Sequence, residues 1–595
     1  MKVELRMGEW MVNMGLVGLY RVFEYGQKNG IISDEYKDSV TVKPWGIELD
    51  TDVLPQLPRA YFLYLLEEYS VAKRECDKLD AYVEQVTNEK QFKSNINDLK
   101  KSISDTGTKI LKYFTHETLE NTLKQIREIK KYEQVHQLEE HIRTLKQVYS
   151  ETKINEKLTL NYFKHAILKP LFFGQVSFLN VSKNDLDFEG HVKEFYNSYV
   201  FPVMNDLHLE SVLNDSHSIE EISSLLEKKG EYQPFKQLKR EWKKKTLEEI
   251  QEYINTKINK CLLFNEHLAF YNFEEMVFSP IGVAKDKAFN FSWHFDSQQP
   301  KPLSSLAKLV LLFAPIGVAI YLKNDGIGDQ KERRPYAGFV QTDGNFAEIL
   351  QKNNHFKQLK KKREPFNKIV SQLVQSVRRE SEYAVDHLFF LEFFSDYESK
   401  KTHLHYYHLP IYLANYFKQY ADRLDHIKSY DYREQFVQYV LRGADPVYVI
   451  YNYLRDCIKN ERSSIGPYIA VRERNRILQF KKGVRDMAMT DKTDKRVSAL
   501  FMQGREIRDA IMRSSGSEKK VTSIAYRLLN AAKAGNRKNF MDTLLRIYMS
   551  ADRPISPIFL NALHERDLDF ATVANAFIAG LLANQYKEEQ EEVQA

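Results

Sequence analysis

The chain has 595 residues, 43% hydrophobic and 28% charged, with a formal net charge of +6. That length exceeds what one hydrophobic core supports and points to several packed units. The composition excludes disordered and fibrous classes.

In chain order, Met1 to Arg6 carries an early acid and no unbroken apolar run, so no signal peptide is expected. The span from Gly8 to Gly26 reads as a helix, because Trp10, Met11, Met14, Val17, Leu19 and Phe23 give it a broad apolar face. Ser39 to Leu49 alternates like two short strands around a Pro44-Trp45-Gly46 turn. From about 59 to 150 the pattern is helical and charged. Leu119, Leu123, Ile126, Leu138, Ile142 and Leu145 fall at three- and four-residue spacings, which predicts a long helical hairpin or arm. Pro170 to Asn180 changes character, with a turn at Gly174-Gln175. Helical, charged sequence returns from Glu220 to Lys260. A sheet-rich part is expected at about 268–322, where aromatic and β-branched residues mix with Gly and Pro. Within it, Leu306 to Leu322 is the most apolar stretch, too short to span a bilayer comfortably. It reads as a buried helix or strand, a turn and a strand. Lys357 to Arg363 is a charge run, and Leu388 to Tyr453 reads as mostly helical. The Gly466-Pro467 step marks the expected boundary between a body, 1–466, and a basic helical bundle, 467–595. The expected fold class is therefore mixed α+β, mostly helical, ending in an all-α four-helix bundle.

Charge is concentrated at that end. Between Tyr468 and Arg553 there are 20 lysines and arginines against 9 acids. A basic face on helices is a footprint for phosphates. The candidate contacts to a nucleic-acid backbone are Arg472, Arg474, Arg476, Lys481, Lys482, Lys495, Arg496, Arg505, Arg508 and Arg513. Arg527 and Arg546 lie in apolar helices and read as structural ion-pair partners. The acidic stretch Glu588 to Glu592 reads as a solvated tail. Catalytic signatures are missing: there is no phosphate-binding Gly-rich loop, no His-Asp pair, no nucleophile elbow and no His-Glu-x-x-His. His403, His405 and His408 lie close in sequence but beside no carboxylate or thiol, so surface or packed histidines are the better reading. Three scattered cysteines, Cys76, Cys261 and Cys457, argue against a disulfide framework and fit a reducing, cytoplasmic setting.

Three stretches carry a resemblance. Gly8 to Phe23, Phe172-Phe-Gly-Gln-Val-Ser-Phe-Leu-Asn180, and the C-terminal set Ser523 to Asn536, Phe540 to Arg546 and Ala576 to Leu581 resemble, in that order, the large subunit of type I-B CRISPR Cascade effectors, the CXXC–CXXC variety. The family's two Cys-x-x-Cys pairs look like a tetrathiolate zinc site. The corresponding places here read Cys261-Leu-Leu-Phe264 and Ser304-Ser-Leu-Ala307, so one thiol of four remains, no metal is expected, and Phe264 and Ala307 are expected to fill the space by packing.

The resemblance implies a non-catalytic subunit of an RNA-guided antiviral defence complex. It would read the protospacer-adjacent motif in target double-stranded DNA, help open the duplex, steady the displaced strand and help recruit a separate helicase–nuclease. Its implied partners are a guide crRNA, backbone and small subunits, the target DNA and that helicase–nuclease, with no membrane and no cofactor. The expected motif readers are Gln175, Ser177 and Asn180, with Lys183 on a neighbouring phosphate. The alternatives are a metal-dependent nuclease drawing on carboxylates such as Asp386, Glu392 and Asp396, or a free-standing nucleic-acid-binding protein. The family also makes its C-terminal region separately, as a small subunit; Met487 and Met489 stand at the place for such an internal start.

Overall fold

Alternation of buried and exposed residues makes Lys2–Arg6 a strand, β1, with Val3 and Leu5 turned inward. The computed structural model describes residues 1–86, 89–129, 131–172, 183–215, 219–229, 231–243, 245–272, 301–325, 332–362, 367–372, 388–396, 401–483, 487–560, 564–565 and 568–583. The molecule is mixed α+β and mostly helical, with small antiparallel sheets and a helical C-terminal region.

Strands β2 (Val40–Lys43) and β3 (Gly46–Asp50) flank the expected Pro-Trp-Gly turn, and β1 completes a sheet of order β1-β3-β2. Val3 pairs with Leu49 and Leu5 with Ile47. The helix Trp10–Lys28 forms where expected and packs into the same core as the helices Leu57–Tyr69 and Ser305–Leu312.

The charged segment from 71 to 150 is not a simple hairpin. It breaks into Val71–Val86, Glu89–Leu111, Glu117–Glu128 and Val135–Ser150. These helices share a core of their own with Leu99, Ile103, Leu119 and Leu145 at its centre. One break is set by His116, whose ring nitrogen caps the Glu117–Glu128 helix by accepting the Leu119 N–H at 3.2 Å. The charged stretch beyond Glu220 is likewise three helices, Ile219–Lys228, Gln233–Trp242 and Leu247–Lys257, around Tyr232, Phe235 and Trp242.

The main sheet lies further along the chain than expected. Its strands are β6 (Ala319–Asp325), β7 (Glu332–Thr342), β8 (Leu388–Asp396) and β9 (Lys401–His408), antiparallel in that order. Among the described residues, the 268–322 region contributes the two-residue strands β4 (Tyr271–Asn272) and β5 (Pro302–Leu303), the helices Ser305–Leu312 and Ala314–Gly317 and the start of β6; residues 273–300 lie outside the described residues. The run Leu388-Phe-Phe-Leu-Glu-Phe-Phe394, apolar except for Glu392, is a strand covered on both faces, a pattern that periodicity does not separate from a buried helix.

Beyond β9 the chain is helical: Ile411–Tyr420, Tyr430–Leu441, Val447–Asn460, Ile465–Lys481, Met487–Ser515, Glu518–Lys533, Arg537–Ser550 and Phe570–Leu582. The last four match the four helices expected from the sequence. The Gly466-Pro467 step is not a boundary, however. It falls inside the first turn of Ile465–Lys481, a place where proline costs no helical hydrogen bond. One core runs from Ala319 to Ala583 across it. The Tyr451 hydroxyl donates to the Ala532 carbonyl at 3.1 Å and the Ser464 hydroxyl to the Ala579 carbonyl at 2.7 Å, both buried.

The apolar helix Phe570–Leu582 is the axis of this region, and Met487–Ser515 crosses it backbone to backbone. A Cβ on Gly504 would sit 2.2 Å from the Phe577 carbonyl oxygen, and one on Gly580 1.9 Å from that of Phe501. Only glycine permits that approach.

Candidate nucleic-acid interface

The helix Ile465–Lys481 holds four of its charges inside the protein. Glu473 is fully buried; its carboxylate accepts from Arg476 Nη1 at 2.7 Å, Arg472 Nε at 3.2 Å and the Tyr416 hydroxyl at 3.0 Å. Arg476 also reaches Asp494 Oδ2 from Nε at 2.6 Å. Arg474, with 5% of its side chain exposed, bridges Asp445 and Asp569 and donates to Thr572 Oγ1 at 2.9 Å. Asp569 in turn caps the Phe570–Leu582 helix. Burial pushes the Asp569 carboxyl up, but the Arg474 charge and hydrogen bonds outweigh it and hold the carboxyl below its usual range.

These contacts correct the expected backbone set. Arg474, Arg476 and Arg508 are buried structural residues, and Arg472 is largely so. Arg508 gives Nη2 to both carboxylate oxygens of Glu518 at 2.7 Å. An arginine so placed meets phosphate only by abandoning its carboxylate partner. Arg496 and Arg505 are half-buried. Lys481, Lys482, Lys495 and Arg513 are exposed.

A different set is better placed. On the helix Glu518–Lys533, Lys519, Ser523, Tyr526, Asn530 and Lys533 recur at four- and three-residue steps and share one exposed face, with Lys520 and Arg527 beside it. Lys519, Lys520, Arg527 and Lys533 form no ion pair among the described residues. Tyr526 is 47% exposed. Tyr448, 45% exposed on the helix Val447–Asn460, lies 5.6 Å from the Lys533 ammonium. Arg546 is exposed nearby in sequence, on Arg537–Ser550. Arg527 and Arg546 are therefore solvent-facing, not the structural partners the sequence predicts. Cations interleaved with exposed rings can hold phosphates and stack bases at once. Sequence periodicity already carried this signal, since the stripe is the polar face of an amphipathic helix.

Of the expected motif readers, Gln175, Ser177 and Asn180 lie outside the described residues. Lys183 pairs with Glu194 at 2.8 Å. Sequence reading missed what holds the segment after them. Buried Lys164 donates to the Lys183 carbonyl at 3.2 Å, and Lys157 to the Leu186 carbonyl at 3.1 Å. Burial, aided by the Lys157 charge, pulls Lys164 down to about 8.

The stretches Cys261–Phe264 and Ser304–Ala307 lie together. The Leu262 N–H donates to the Pro302 carbonyl at 3.0 Å, and Cys261, Phe264, Ser304 and Ala307 are all buried. Cys261 Sγ accepts from the Phe264 N–H at 3.4 Å, and Ser304 Oγ caps its helix by accepting from the Ala307 N–H at 3.1 Å. One thiol and a hydroxyl already spent on a helix cap do not fit a tetrathiolate metal.

Of the carboxylates that the nuclease alternative names, Glu392 is the one whose side chain is described. Asp386 lies outside the described residues, and of Asp396 only the backbone is described. Glu392 is buried against Lys323 Nζ at 2.6 Å and the Tyr407 hydroxyl at 2.9 Å, with the Tyr321 hydroxyl also bonded to it. Burial pushes Glu392 up, but Lys323 and Lys360 outweigh it and hold the carboxyl at about 2. His403 stacks on Phe394 at 4.6 Å, His405 on Tyr336 at 6.1 Å and His408 on Phe389 at 5.1 Å. Among the described residues no three His, Cys, Asp or Glu side chains converge as a metal site, and no helix is long and apolar enough to cross a membrane.

No protein-family model matches the chain, and no curated protein matches its sequence.

Proposed function

We propose that this protein is a non-catalytic subunit of an RNA-guided DNA-interference complex, and that its C-terminal helices carry a single strand of nucleic acid. The observation that carries the reading is the exposed stripe of Lys519, Lys520, Arg527 and Lys533 with Tyr526 and Tyr448. The meeting of Cys261-x-x-Phe264 with Ser304-x-x-Ala307 supports the resemblance from a second place. In this reading the strand is the one displaced when guide RNA pairs with its target. Gln175, Ser177 and Asn180 discriminate the flanking motif, and Lys183 exchanges Glu194 for a phosphate. The cytoplasmic partners are guide crRNA, target duplex, backbone and small subunits and a helicase–nuclease.

The test is purification of the chain from its native source. A small RNA and partner subunits should accompany it. A chain that arrives alone yet binds single-stranded DNA through the stripe is a free-standing binder, and the complex is then ruled out. In the assembled complex, alanine at Gln175, Ser177 and Asn180 should erase the preference for a correct flanking motif, at about 1–3 kcal/mol per lost base contact.

A further inference from the structure

A cavity of about 640 Å³ opens where the π-helical segment Tyr196–Val200 and the helix Phe201–Asp215 meet the start of Gln233–Trp242, strand β4 and the helix Ser305–Leu312. It is remote in sequence from the basic stripe and serves nothing described so far. Four aromatic rings line it: Tyr199, Phe201, Tyr232 and Tyr271. Such walls favour a planar π system. Asn197 and Gln233 are also in the lining, and residues that carry amides beside an aromatic slot suit the hydrogen-bonding edge of a base. An alkyl chain would leave them unmatched. The Lys308 ammonium lies 5.0 Å from the Tyr199 ring centre and 4.8 Å from that of Tyr271, so the wall also carries a positive charge.

A buried hydrogen-bond chain fixes which base edge fits. The Tyr232 hydroxyl donates to Asp206 Oδ1 at 2.8 Å, and the Tyr271 hydroxyl lies 2.8 Å from that of Tyr232. With Asp206 ionised, Tyr232 has spent its single proton on the carboxylate. Its oxygen then accepts the Tyr271 proton, and Tyr271 is left with lone pairs only. Glu231 adds a second acceptor to the lining. Two acceptors call for a donor.

We infer that this cavity binds one nucleotide whose base carries an exocyclic amine. The nucleotide is either free or an unstacked residue of a strand, and the chemistry of recognition is the same.

The experiment is calorimetric titration of the full chain at pH 8 with AMP, IMP, CMP and UMP. Burial raises Asp206 to about 7, so pH 8 keeps it ionised. AMP should bind about tenfold tighter than IMP, or CMP than UMP, the order expected from one lost hydrogen bond. Tyr271→Phe should remove that preference while the nucleotides of each pair still bind, and Gln233→Ala should weaken the amino-bearing nucleotide. A short single strand with a central amino-bearing base should compete, and an abasic strand should not, if a strand supplies the nucleotide; competition by neither makes the free nucleotide the ligand. Equal binding within both pairs, or no saturable binding of any of the four at millimolar concentration, overturns the proposal. Neutralising the stripe should leave these titrations unchanged, so this site and the strand groove stand or fall separately.

Discussion

The helices Ile465–Lys481 and Glu518–Lys533 are both rich in cations, yet they use them in opposite ways. The first turns Arg472, Arg474 and Arg476 toward Glu473, Asp445, Asp494 and Asp569, inside the protein. The second keeps Lys519, Lys520, Arg527 and Lys533 in water. Local charge density does not separate them. What separates them is where the acids lie, and Asp445 and Asp569 are far from Arg474 in sequence. A basic segment is a binding surface only after the fold's own carboxylates have been subtracted.

The sharpest way to break this comparison is Arg474→Ala. Removing the buried guanidinium leaves the partly exposed Asp445 and Asp569 without their partner and should cost about 1.5–3 kcal/mol. Urea denaturation measures it. A loss below about 1 kcal/mol, with weakened DNA binding instead, would move Arg474 to the interface.

Neutralising the other helix should do the reverse. Replacing Lys519, Lys520, Arg527 and Lys533 by Gln should lower the slope of log affinity against log salt by about 3, at roughly 0.7 per phosphate of single-stranded DNA. Stability should move by no more than about 0.5 kcal/mol per site. An unchanged slope removes the stripe from the interface.

Acid sharpens the contrast further. The native Asp569 carboxyl is held below its unfolded value, so its contribution is complete above about pH 4 and disappears as pH falls through the depressed native value. Asp569→Asn should flatten that part of the stability–pH curve, followed by denaturant midpoints between pH 5 and 2. The stripe variant should titrate as the parent does.

The smallest effect expected is that of Tyr526→Ala. It should cost about 1–3 kcal/mol of single-strand affinity at constant salt slope, because a stacking ring carries no counterion. An altered slope would mean that the substitution had disturbed the neighbouring cations.

Much of the fold was legible because it is local. The helix beginning at Trp10, the turn at Pro44-Trp45-Gly46 and the last four helices carry their signals in contiguous sequence, and Ser517, Asn536 and Asp569 cap the last three. What failed was long-range. Strand β8 reads as a helix until β7 and β9 are seen to flank it. The Gly466-Pro467 step reads as a linker until Ser464 is found bonded to Ala579, 115 residues away. The site divided the same way. Clustered cations were visible, but which of them the fold neutralises was not: Arg472 and Arg476 turn onto Glu473 of their own helix, and Arg474 meets Asp445 and Asp569 from distant segments. The exposed stripe needed only helical spacing, which marks it in the sequence without any partner.

The Arg474 clamp also constrains where the chain can be shortened. A product begun at Met487 would retain all four terminal helices, since Met487–Ser515 starts there. It would also retain Asp569 and Asp494 while losing the guanidiniums of Arg474 and Arg476. Each carboxylate would then need a new cation or a proton, and the Phe570–Leu582 helix would need a new cover for the face that Ile465–Lys481 shields. A truncated bundle is thus under pressure to dock, and a surface that presents arginine over an apolar stripe is the mate it lacks.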